Sequence, residues 1–118
     1  MASLRELLSD LVKVEGVTTA VVVGRDGFVL DGVSRSTKLD TEAVGAVIST
    51  GIGSSEVMGG ELGVGEMTQG LLEYKGGLIV MGLVGREAIL AIVADVNANL
   101  GNVRYQLKKR IPDIEHAL

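Results

Sequence analysis

The chain has 118 residues, 47% of them hydrophobic and 3% aromatic, with no Trp, no Cys, one His and a formal net charge of −4. That length suits a single domain spanning residues 1–118, with a core built from Val, Leu, Ile, Ala and Met. The acidic balance weighs against a nucleic-acid or anionic-membrane surface, and the lack of Cys excludes disulfides and thiolate metal sites.

At the start, "MASLRELLSDLVKV" mixes charge into an amphipathic pattern and lacks the unbroken apolar run of a signal peptide. No apolar stretch reaches the ~20 residues that cross a bilayer, so a soluble cytoplasmic protein is expected. Ser3 and Glu6 have the spacing of a capping box, and Leu4, Leu7, Leu8 and Leu11 follow on one helical face, with Gly16 as the stop. The β-branched run "VTTAVVVG" (17–24), then "RDG" and "FVLDG", predicts two antiparallel strands, because Asp26-Gly27 suits a tight turn.

Residues 33–39 form a polar loop, and Asp40 can cap the next segment, "AVGAVISTGIGSSEVMGGELG" (43–63). After it, "GEMTQGLLEYK" reads as a polar third strand, Gly76-Gly77 as a turn, and "LIVMGLV" and "AILAIVAD" as strands joined by "GRE". Asn97 is placed to cap a last helix whose Leu100, Val103 and Leu107 share a face. Lys108, Lys109 and Arg110 fall in its final turn, and Pro112 is expected to stop it.

The order is α-β-β-α-β-β-β-α, an α+β fold. Residues 78–84 and 88–94 are apolar at both alternating positions, so the sheet needs cover on both sides. The economical solution places the two terminal helices on one face and the middle helix on the other. Glu66, Thr68, Gln69 and Glu73 mark the third strand as an edge.

The glycine-rich stretch has no Gly-Lys pair for a Walker loop, and "GIGSSE" carries Glu56 where a dinucleotide fingerprint needs glycine. Wound as a helix, it places Val44, Val47, Ile48, Gly51, Ser55, Met58 and Leu62 toward the sheet. Glu42, Ala46, Ser49, Gly53 and Gly60 then lie opposite. One reading is a poor helix, frayed near Gly59-Gly60 and held by packing. The favoured reading is that small outward residues let a second backbone approach. Pairing of the third strand with its own copy would bring two central helices side by side in a homodimer. The surface expected for this is Ala46, Ser49, Thr50, Gly53, Val57, Gly60, Glu66, Thr68, Gly70 and Leu72.

With "TTAVVVGRDGFVLD", "GGLIVMGLVGREAILAIVAD" and "NANLGNVRYQL" in this order, the chain resembles the Roadblock family from about Ser3 to Lys109. That family includes dynein light-chain subunits and bacterial MglB-type partners of small Ras-like GTPases. The resemblance implies a profilin-like fold with a five-stranded antiparallel sheet. It also implies a homodimer joined through the third strand and central helix, and a GTPase meeting the paired helices within residues 43–60. Longer bacterial members continue beyond the last helix, whereas this chain has almost nothing there.

No catalytic constellation is expected. Ser54 and Ser55 lack a neighbouring His, and His116 reads as an exposed polar residue. Glu42, Glu56 and Glu61 read as a solvated acidic rim that could also steer a basic partner, and Asp26 and Asp31 as turn residues. Arg25, Arg35 and Arg86 are the arginine-finger candidates, each more simply a solvated side chain. Were GTP hydrolysis stimulated, ordering of the GTPase's own switch segments is the expected route. The expectation is a non-enzymatic interaction module without cofactor or metal. Its partners would be a second copy and a Ras-like GTPase, either as regulator or as structural adaptor. A small-ligand- or nucleotide-binding enzyme is the third reading, against which stand the missing activated nucleophile and phosphate loop.

Overall fold

The computed structural model describes residues 2–118. Helix α1 (Leu4–Leu11) leads into the hairpin of β1 (Val17–Gly24) and β2 (Val29–Ser34). Helix α2 (Thr41–Glu61) follows, then β3 (Gln69–Tyr74), β4 (Gly77–Val84), β5 (Ala88–Ala94) and helix α3 (Leu100–Ala117). The five strands form one antiparallel sheet in the order β2-β1-β5-β4-β3. The expected element order and fold class hold, and β3 is an edge.

Local chemistry explains most of the boundaries. The Ser3 hydroxyl accepts from the Glu6 N–H at 3.2 Å, and the Asp40 carboxylate accepts from the Glu42 N–H at 3.0 Å. Gly27 turns the first hairpin at φ +91°, a conformation that other residues rarely adopt. Its predecessor Asp26 accepts from the Phe28 N–H at 3.0 Å.

Four boundaries differ from the sequence-based expectation. Helix α1 ends at Leu11, and Gly16 lies instead in the turn before β1, at φ +87°. Strand β3 begins at Gln69, so Glu66 and Thr68 belong to the connection before it. The cap of α3 is Asn99, whose side chain accepts from the Asn102 N–H at 2.9 Å, and not Asn97. Finally, α3 runs through Pro112 to Ala117. Proline removes one helical hydrogen bond, but Ile114 is fully buried beyond it and Ile111 and Ala117 pack on the same core. That burial holds the last turns in place.

The sheet separates two cores. On one face Leu7, Leu8 and Leu11 of α1 and Val103, Leu107 and Ile114 of α3 cover Ala20, Val22, Val80, Leu90 and Ile92. On the other, Ile48 and Ile52 of α2 cover Val21, Val23, Met81, Ile89 and Ala91. The terminal helices therefore share one face and the central helix takes the other, as expected. Among the described residues, no helix is long and apolar enough to cross a membrane.

Candidate functional site

Helix α2 is helical to Glu61, through Gly59 and Gly60. It is therefore not frayed there, despite glycines that each cost roughly 1 kcal/mol relative to alanine. Its phase differs from the expected one. Gly45, Ile48 and Ile52 are the buried positions, whereas Val47, Met58 and Leu62 are 68%, 60% and 73% exposed.

The physical reason lies at Gly45. A Cβ there would stand 2.6 Å from the Gly27 carbonyl oxygen and 2.8 Å from Val29 Cγ2. The missing side chain lets α2 sit directly on the first hairpin, which rotates Ile52 inward and Val47 outward. Ala46 and Ser49 turn toward the same hairpin, since a Cβ on Gly27 would lie 3.2 Å from Ser49 Oγ and 3.7 Å from Ala46 Cα. The expected outward line of small residues is thus divided. Ala46 and Ser49 serve contact within the chain, while Gly53 and Gly60 have nothing within 4 Å of a Cβ position.

A second anchor fixes the same flank. Arg25 donates from Nη1 and Nη2 to the Glu56 carboxylate at 2.6 and 2.9 Å, and from Nε to the Arg86 carbonyl at 2.5 Å. Hydrogen bonding from Arg25 is the main influence holding the Glu56 carboxyl below its ordinary range, against a desolvation cost. The same bond raises Arg25. Glu56 is therefore a pinned residue and no part of a free acidic rim. Arg25, read as a solvated arginine, is engaged as well, and Arg35 donates to the Val12 carbonyl at 3.1 Å. Asp31 lies within β2, not in a turn, and accepts from Arg5 at 2.6 Å.

With one flank of α2 held to the hairpin end, the other flank turns toward an open stretch of sheet. Val47, Gly51 and Met58 lie along that flank, and a Cβ on Gly51 would meet nothing within 4 Å. The floor beside them continues onto β3, where Gly70, Leu72 and Tyr74 pair in register with Met81, Ile79 and Gly77. Met81 belongs to the α2-side core and Ile79 packs on it, so these β3 residues share that face. Leu72 is 44% and Tyr74 57% exposed. The result is a continuous exposed apolar surface that runs from a helix flank to an unpaired sheet edge.

The expected contact residues are distributed unevenly over this surface. Thr50, Gly53, Val57 and Gly60 are exposed on the outer side of α2, and Leu72 lies on the floor. Gly70 is half-buried, with Met67 Cε and Met81 Cε at 2.6 and 3.1 Å from its Cβ position. Sequence reasoning missed Val47, Met58, Leu62, Tyr74 and Ile79. For the α2 residues the signal was the steric demand of Gly45, which helical periodicity alone does not contain. The sheet separates Ser54 and Ser55 on α2 from His116 on α3, so they form no common site.

The family model described as Roadblock/LC7 domain matches residues 4–94. An uncharacterized protein of Methanocaldococcus jannaschii is 34% identical over 109 residues, covering 92% of this chain and 94% of its own. The Roadblock/LC7 domain from Streptomyces avermitilis superposes with a TM-score of 0.88 at 22% identity, over 98% of this chain and 97% of that one. Myxococcus xanthus MglB superposes with a TM-score of 0.86 at 18% identity, over 97% of this chain and 84% of its own.

Proposed function

The chain belongs to the Roadblock/LC7 domain family, and from that premise we propose that it is a homodimeric module that binds and regulates a small Ras-like GTPase. The observation that carries the proposal is the exposed apolar surface joining the α2 flank to the open edge of β3. A two-fold axis beside β3 would extend the sheet across two copies and lay their α2 helices side by side. Val47, Met58 and Leu72 would then be buried between subunits. Thr50, Gly53, Val57 and Gly60 would remain on the outside, as a platform with small side chains for a GTPase.

The module acts in the cytoplasm without chemistry of its own. Arg25 and Arg35 are already committed to groups of this chain, which favours ordering of the GTPase's switch segments over insertion of an arginine. An adaptor that binds without changing hydrolysis would use the same surface.

Two measurements test the reading. Sedimentation of the full chain at micromolar concentration should give a dimer, and Val47→Asp should give a folded monomer. GTP turnover by Ras-like GTPases encoded beside the chain should change when it is added. Binding without a change in turnover would assign the adaptor role. A monomeric wild type that binds none of those GTPases would overturn the proposal.

A further inference from the structure

The two sides of β3 differ in chemistry. Gln69, Leu71 and Glu73 pair with Gly82, Val80 and Leu78. Val80 and Leu78 belong to the α1/α3 core, and a Cβ on Gly82 would strike Leu107 and Ile111 of α3. These three β3 residues therefore face the α3 side. Beside Gln69 opens a polar cleft lined by Thr68, Gln69, Arg104, Tyr105 and Lys108. Arg104 Nε donates to Gln69 Oε1 at 3.5 Å, and among the described residues neither Arg104 nor Lys108 meets a carboxylate in an ion pair. At the far end of the strand, exposed Glu73 has no cationic partner among them either. Each copy thus carries a cationic cleft at the start of β3 and a free carboxylate near its end.

Two β3 strands joined across a two-fold axis normal to the sheet run antiparallel. Opposed residues must project to the same face, so a residue, and not a peptide midpoint, lies on the axis. With Leu72 there, Lys75 would oppose Gln69 and set a cation against the Arg104 cleft. With Glu73 there, two carboxylates would oppose each other. With Gly70 there, Glu73 would oppose Met67, outside the strand. With Leu71 on the axis, Glu73 opposes Gln69 on the α3 side, and Leu72 opposes Gly70 on the α2 side, a large side chain over a small one. Opposed Cβ atoms stand about 4.5–5.5 Å apart, so a carboxylate opposite Gln69 is within reach of the arginine that already touches Gln69.

From this we infer that Glu73 of the partner subunit enters the Arg104–Lys108 cleft, twice per dimer, and that this pairing selects the register with Leu71 on the axis. The inference rests on the homodimer proposed above. It adds a charged lock on the opposite side of the sheet from the apolar surface.

Charge exchange between two variants tests it. Glu73→Arg and Arg104→Glu should each weaken self-association by about tenfold or more, because both junctions then oppose like charges. An equimolar mixture should form heterodimers close to wild-type affinity, since each junction again joins opposite charges. Separately, Leu71→Cys in this cysteine-free chain should oxidise to a covalent dimer much faster than Leu72→Cys. A dimeric wild type whose variants are unaffected, or are not rescued by mixing, would overturn the lock. Faster cross-linking at residue 72 would overturn the register. A monomeric wild type would instead remove the homodimer beneath both.

Discussion

The two faces of the sheet are built to different degrees of completion. The α1/α3 side encloses sixteen buried residues among those described, whereas the α2 side encloses seven and leaves Leu72, Tyr74 and a flank of α2 in solvent. Two helices complete a face within one chain, and one helix set across an end of the sheet does not. The unfinished face is where a second polypeptide gains most, because its apolar area is still exposed to water.

Truncation on the two sides sharpens this contrast most. Leu107→Ala should cost near the upper end of the roughly 2–5 kcal/mol range for such cavities, because Leu107 is fully buried between α3 and a sheet face that two helices already cover. Ile52→Ala should fall near the lower end, since α2 can settle toward the open floor. Urea denaturation at low protein concentration would read both, and equal costs would break the comparison.

The next effect separates glycines of one helix. Gly45→Ala brings a methyl group to 2.6 Å from the Gly27 carbonyl, and should destabilise by about 1–3 kcal/mol despite alanine's better helix propensity. By contrast, Gly53→Ala meets nothing within 4 Å and should stabilise by about 0.5–1 kcal/mol. Thermal unfolding of the two variants should therefore move in opposite directions.

The smallest expected effect belongs to the Arg25–Glu56 pair. Folding lowers the Glu56 pKa, so the unfolded chain binds that proton more readily than the folded one. The stabilisation is full above the ordinary glutamate value of about 4.3 and is lost as pH falls through the lowered folded value. Both side chains are about one-third exposed, so solvent screening keeps the contribution below about 1 kcal/mol. Glu56→Gln should flatten the stability profile between neutral and acid pH by that amount, as read by denaturation at each pH.

Much of this architecture was legible in local patterns. Ser3 and Asp40 cap where their spacing predicts, Asp26-Gly27 turns the first hairpin, and unbroken apolar runs in residues 78–84 and 88–94 called for helices on both faces. The polar character of β3 marked it as an edge. Ile111 and Ile114 continued the stripe of Val103 and Leu107, and gave a local hint that α3 would pass Pro112. The stop expected at Pro112 left that stripe out of account. Buried area reversed it in the folded chain.

The candidate surface was less legible, and its errors share one cause. Periodicity assigns a helix two faces, but its exact rotation depends on what the helix rests against. Contact between Gly45 and the Gly27 carbonyl spans residues far apart in sequence, as does the Arg25–Glu56 pair. Composition and spacing by themselves determined the elements, their order and the need for a two-sided sheet, because turns, caps and alternation act over a few residues. Only the tertiary structure decided which flank of α2 stays exposed and which β3 side chains lie beside α3, because both depend on close packing between distant segments.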